Sequence, residues 1–163
     1  MPYEEILKQL EDYRAAIASE DLLSRSGLKA RPAFVSVREQ YDALFCEETV
    51  VSVRELIERA PQPKKRDQIE RALFALLEGV VAAETFPIEE NLFQESSALE
   101  TDVDGARVSY HDIAARLAEE GVFEKRERLR KAQAALEENL APLRLELEHA
   151  TRQAFAKFGF GIM

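Results

Sequence analysis

Apolar residues at Ile6, Leu10, Tyr13 and Ile17 fall four, three and four positions apart, which predicts one stripe of a first helix ending before Gly27. Pro32 then enforces a loop. Residues 35–39 and 51–55 share the order Val-Ser-Val-Arg-Glu. In each, the serine (Ser36, Ser52) can accept from an amide three residues on while the glutamate (Glu39, Glu55) reaches back, the arrangement of a capping box. Two short helices are therefore predicted, one through Val37, Tyr41, Leu44 and Phe45, the other through Val53, Leu56, Ile57 and Ala60. The residues that follow diverge within a turn, so shared capping chemistry accounts for the likeness without an internal duplication.

Two long helical stretches come next, Lys65 to Glu100 and Phe123 to Phe158. The first carries apolar positions at Ile69, Leu73, Leu76, Val80 and Ala83, and its stripe resumes at Leu92, Ser96 and Leu99. Pro87 lies between the two halves and predicts a kink in one continuous arm. The second stretch has the clearest stripe in the chain: Leu129, Ala132, Leu136, Leu140, Leu143, Leu147, Ala150, Ala154 and Phe158, with Pro142 predicting a bend. Between the arms the pattern becomes alternating. Val103 and Val108 bracket Asp104-Gly105, the signature of a tight hairpin over about 101–110. A ribbon this short needs a helix to lean on. Ser109 and Asp112 then read as a cap, opening a short helix through Ile113, Ala114, Leu117 and Ala118 that Gly121 ends. The fold class expected is all-α: an antiparallel helical bundle with two long kinked helices and one small inserted β-hairpin, forming a single domain over 1–163.

Composition narrows the partners. With 46 % hydrophobic and 33 % charged residues the chain is able to bury a core. Its 31 acidic against 22 basic residues give a formal charge of -9, which repels phosphate backbones and anionic lipid, so neither nucleic acid nor a membrane is an expected partner. Around Lys125 to Lys131 the basic residues interleave with Glu124 and Glu127, which predicts i,i+4 pairs to Arg128 and Lys131 on a solvated face. The longest apolar run, Ala72 to Ala83, is broken by Glu78 and Gly79 and is too short to cross a bilayer. The opening residues are acidic and then amphipathic, unlike a secretory signal. Cys46 is the single cysteine, so no internal disulfide can form, and a cytoplasmic location is expected.

Candidate chemistry is sparse. Glu146 and His149 have the E-x-x-H spacing that puts both side chains on one helical face, as di-iron bundles require, but no second such pair exists; a ferritin-like site would have to draw on Glu78 and Glu84. His111 has Ser109 and Asp112 beside it, yet neighbours in sequence rarely converge as a triad, and capping or packing against Tyr110 explains them as well. Cys46 has two acids and no base beside it, which predicts a packed small residue and not an activated thiol. No catalytic, cofactor-binding or metal-ligating residue is assigned. The aromatic residues are expected in the core, except at the tail, where Phe155, Phe158, Phe160 and Gly161 to Met163 form an apolar end that must dock on this domain or on something beyond it.

The order of a proline-kinked helix closing on Glu95 to Glu100, a Val-Asp-Gly hairpin, Val108 to Tyr110 leading into a short helix, then Arg126 to Gln133 and Asn139 to Leu143, resembles the N-terminal helical region of zinc oligopeptidases of the thimet oligopeptidase and oligoendopeptidase F type. The resemblance runs best from about Asp67 to Gly161. It implies a chain that continues past Gly159-Phe160, with these helices forming one wall of a channel for short peptides. Zinc would sit in the absent part, because H-E-x-x-H needs two histidines one turn apart and this chain has none at that spacing. The partner implied is the remainder of such a peptidase; the alternative from the residues alone is a free-standing interaction protein that self-associates through its C-terminal helix.

Overall fold

The structure is a computed structural model that describes residues 1–60 and 62–158. It is all-α, with one two-stranded hairpin. The helices are α1 (Tyr3–Arg25), α2 (Phe34–Glu39), α3 (Glu47–Arg59), α4 (Pro63–Ala98), α5 (Tyr110–Glu119) and α6 (Phe123–Ala156); strands β1 (Glu100–Val103) and β2 (Ala106–Ser109) lie between α4 and α5. The chain divides into two compact units. One comprises Met1–Pro87 and the chain from Ala150 onward; the other is Ile88–His149.

In the first unit, Ile6, Leu10 and Tyr13 of α1 are buried together with Leu44, Phe45, Val50, Val53, Ile69, Ala72, Leu76 and Leu77, so the stripe read from the start of the chain is its core face. Tyr13 sits at the aromatic centre, edge-on to Tyr41 at 5.4 Å and to Phe45 at 4.7 Å between centroids. Pro63 occupies the first position of α4, where its missing N–H leaves no helical bond unmade. Helix α4 then runs through Pro87 without a break. Its buried face is wider than a single stripe and includes Ala75, Val81, Ala82 and Thr85, whereas Ala83 is exposed.

The two expected capping boxes do not form. Helix α2 begins before Ser36, at Phe34, and ends at Glu39, leaving Tyr41, Leu44 and Phe45 in the turns that follow. Helix α3 begins at Glu47, with Glu47 and Glu48 in its first turn, where carboxylates suit the helix dipole. Ser52 is thus a mid-helix residue, and its hydroxyl donates to the Thr49 carbonyl at 2.9 Å. Burial of Thr49 and Val50 outweighs the local cap signal.

The second unit is built around the hairpin. Asp104 (φ 56°) and Gly105 (φ 79°) both adopt positive φ, the backbone of a type I′ turn, and the pairing runs from Glu100 with Ser109 to Val103 with Ala106. Gly105 N–H donates to Asp102 Oδ1 at 2.8 Å, closing the turn. That register turns Val103 and Val108 to one face, where they are buried with Ile113 of α5 and Leu129 and Leu136 of α6. The ribbon therefore leans on both α5 and α6. Arg128 leaves the expected Glu124 and instead pairs with Asp104 at the hairpin turn (2.7 Å), while Glu127 pairs with Arg130 and not Lys131. A turn held against the helix offers Arg128 a fixed carboxylate, which a solvated i,i+4 partner does not.

No described helix is long and apolar enough to cross a membrane. Among the aromatics, Phe74 (52 % exposed) and Phe123 depart from the core reading. Phe155 stacks on Phe74 with centroids 6.4 Å apart, and Phe158 packs on the first unit's core, so part of the apolar tail docks on its own chain. Phe160 and Gly161 to Met163 lie outside the described residues.

Candidate functional site

Polar side chains of the second unit converge at the start of α5. Ser109 caps that helix as expected, its Oγ accepting from the Asp112 amide at 3.2 Å. Two residues with polar rings follow immediately, Tyr110 and His111, and they point at different elements. The Tyr110 hydroxyl donates to Glu137 Oε1 of α6 at 2.5 Å and accepts from Arg144 Nη2 at 2.9 Å. Arg144 Nη1 lies 2.5 Å from Glu137 Oε2, which closes a three-membered ring of contacts. Partial burial, reinforced by the adjacent Glu137 carboxylate and opposed by Arg144, pushes the Tyr110 phenol above its ordinary pKa. The hydroxyl therefore stays protonated, as its donor role requires.

His111 turns instead toward the end of α4. Its Nε2 lies 3.5 Å from both Ser96 Oγ and Ser97 Oγ, and its ring is tilted against Phe93 with centroids 6.2 Å apart. Ser96 is buried and already donates to the Phe93 carbonyl at 2.9 Å, so its proton is not aimed at the imidazole. Contacts of 3.5 Å lie at the limit of a hydrogen bond. The sequence neighbours Ser109, His111 and Asp112 are thus not gathered into a triad: the serine oxygen serves the Asp112 backbone, and the imidazole faces two other serines.

The carboxylates of the ferritin-like alternative have other partners. Glu78 lies 3.7 Å from Arg14, and Glu84 accepts from Lys157 at 2.5 Å. Glu146 and His149 are both exposed on α6. Among the described residues, no group of three or more His, Cys, Asp and Glu is placed to hold a metal ion. Cys46 is half-buried at the start of α3, its Sγ 3.3 Å from the Ala43 carbonyl and from Thr49 Oγ1, the packed small residue its sequence context predicted.

The described surface includes two open depressions. One, of about 340 Å³, is lined by the hairpin's Val103 and Asp104, by Arg116 and Glu120, and by Lys125 and Leu129 of α6. The other, of about 540 Å³, lies in the first unit over Arg14, Asp67, Glu70, Arg71 and Phe74. Both mix charges of either sign, and neither gathers a nucleophile with a base. No family profile, curated protein or solved structure matches this chain.

The ring of Tyr110, Glu137 and Arg144 is not legible in the sequence, because Tyr110 lies 27 and 34 residues from its two partners. A trace of it was present in the sequence: Glu137 and Arg144 are seven residues apart, two turns on one helical face, with Pro142 between them.

Proposed function

We propose that this chain is a non-catalytic helical scaffold, related to the N-terminal helical region of zinc oligopeptidases, that contributes a wall of the substrate channel when joined to a catalytic part. The observation that carries the reading is the order of elements in the region of resemblance: a proline-containing α4, a Val-Asp-Gly hairpin, a Ser109-capped α5 and the long α6. The state of the polar side chains also favours it. Ser109 caps a helix, Tyr110 is held between Glu137 and Arg144, and Glu78 and Glu84 are in ion pairs, which is the work of a scaffold. On this reading zinc and the peptide-cleaving groups belong to the partner segment, short peptides are the substrate class, and the protein acts in the cytoplasm, in keeping with its lone cysteine.

The deciding experiment is the intact mass of the product of the native gene in its own cells, followed by zinc analysis and a short-peptide cleavage assay. A product well above 18.5 kDa that holds zinc and cleaves peptides supports the proposal. A product of 18.5 kDa that neither binds a zinc-bearing partner nor enters a peptidase complex rejects it.

A second reading, self-association through α6, is favoured by the exposure of Phe123 and of Leu145, which is 65 % exposed between Arg144 and Glu146. A mass that doubles with concentration in sedimentation equilibrium, and reverts in L145E, would support it.

A further inference from the structure

Helix α6 runs unbroken from Phe123 to Ala156 although Pro142 lies inside it. Proline has no N–H to offer the carbonyl of residue 138, and its ring crowds that carbonyl, so the turn across Pro142 lacks one hydrogen bond of the helical ladder. At about 100° per residue, Glu137 and Arg144 project within roughly 20° of each other, and Pro142 projects some 140–160° away from both. The pair therefore lies on the face opposite the proline. In a straight helix, residues seven apart are separated by about 10.5 Å along the axis. Here Arg144 Nη1 and Glu137 Oε2 are 2.5 Å apart, and the Tyr110 hydroxyl sits on both side chains.

We infer that Tyr110, Glu137 and Arg144 form a clasp that holds α6 continuous across Pro142. The guanidinium and carboxylate span the weakened turn, and the phenol, fixed at the start of α5 by the Ser109 cap, anchors them from outside the helix. Tyr110 follows β2 directly, and its amide donates to the Leu99 carbonyl at 2.9 Å, so displacement of the hairpin pulls on the clasp. The device thereby links the position of the hairpin to the integrity of α6.

The test is amide hydrogen exchange on the full chain, read at residues 138–146. Y110F and, separately, R144M are expected to speed exchange there by about tenfold or more, the scale of one lost hydrogen bond to a charged group, while amides of α1 keep their rates. P142A restores the missing donor. In that background Y110F is expected to change exchange at 138–146 by less than about twofold. Unchanged exchange in Y110F with the proline present would overturn the inference. So would an equal acceleration with and without the proline, because Tyr110 would then be stabilising the unit generally and not the proline turn.

Discussion

Arg38 Nε donates to the carbonyl oxygen of Gly79 at 2.6 Å, joining α2 to the middle of α4 through an arginine that is only 7 % exposed. The same guanidinium pairs with Asp42 and lies 4.6 Å over the ring of Phe45, so a charge, a hydrogen bond and a cation–π contact meet at one point. Gly79 leaves room for the Phe45 ring. A Cβ built on it would lie 2.0 Å from Phe45 Cε1.

Gly79→Ala is therefore expected to destabilise the first unit. Alanine gains about 1 kcal/mol of helix propensity. Forcing Phe45 aside costs about 1–3 kcal/mol by overpacking, and a 2.0 Å overlap demands a large shift of the ring. Denaturant unfolding should show a net loss, and Phe45→Leu in the same chain should recover part of it. A more stable G79A would mean that the ring and α4 are not in this contact.

Glu20 is expected to govern part of the acid sensitivity. Its side chain, 16 % exposed, accepts from Lys29 and from the Ala33 amide at 3.0 Å, and these bonds hold its carboxyl below the usual glutamate range. A depressed folded-state pKa contributes stability that is complete above the unfolded value and is lost as pH falls from there through the folded value. Urea unfolding measured downward from about pH 5 should fall more steeply for the native chain than for E20Q. Parallel curves would show that the loop around Ala33 is held by something other than this carboxylate.

Tyr110 sets the opposite limb. Its raised pKa means that the folded state keeps the phenol protonated, so the stability it contributes is intact below the ordinary tyrosine value of about 10 and is lost as pH rises through the elevated one. Tyr3 is raised as well, through burial and the nearby Glu4. Phenolate absorbance should show late-titrating tyrosines in the native protein, with one such component missing in Y110F and all normal in denaturant. An unchanged late component in Y110F would exclude Tyr110 as its source.

Ser109→Ala removes the oxygen that satisfies the Asp112 amide and is expected to cost about 1 kcal/mol, within the range for lost helix caps. Ser109→Asp should restore most of that stability. The two predicted caps that do not form supply a contrast: Ser36→Ala should be nearly neutral, whereas a cost equal to that of S109A would mean that α2 does start at Ser36.

How legible each element was depended on whether its signal was local. The hairpin was read correctly because Asp104-Gly105 must adopt positive φ wherever it sits, and alternation left Val103 and Val108 on one face. The capping boxes do not form because the same Ser-x-x-Glu pattern is compatible with a mid-helix position once burial of Thr49 and Val50 starts α3 six residues earlier than a Ser52 cap would. Arg128 took Asp104 and not Glu124 because the hairpin folds back within its reach, which spacing along one helix cannot reveal. At the candidate site, the Ser109 cap was visible and the partners of Tyr110 and His111 were not.

By itself, the sequence determined the all-α class, the long α4 and α6, the hairpin between them, the α1 core stripe and the cap of α5, because periodicity, proline and glycine placement and turn chemistry act within a few residues. Tertiary structure alone decided that Arg38 is buried against Gly79, that Glu137 and Arg144 enclose the Tyr110 hydroxyl, and that His111 faces Ser96 and Ser97. The contacts of Arg38, Tyr110 and His111 join groups 14 to 41 residues apart, and a polar side chain takes whichever partner packing brings within reach.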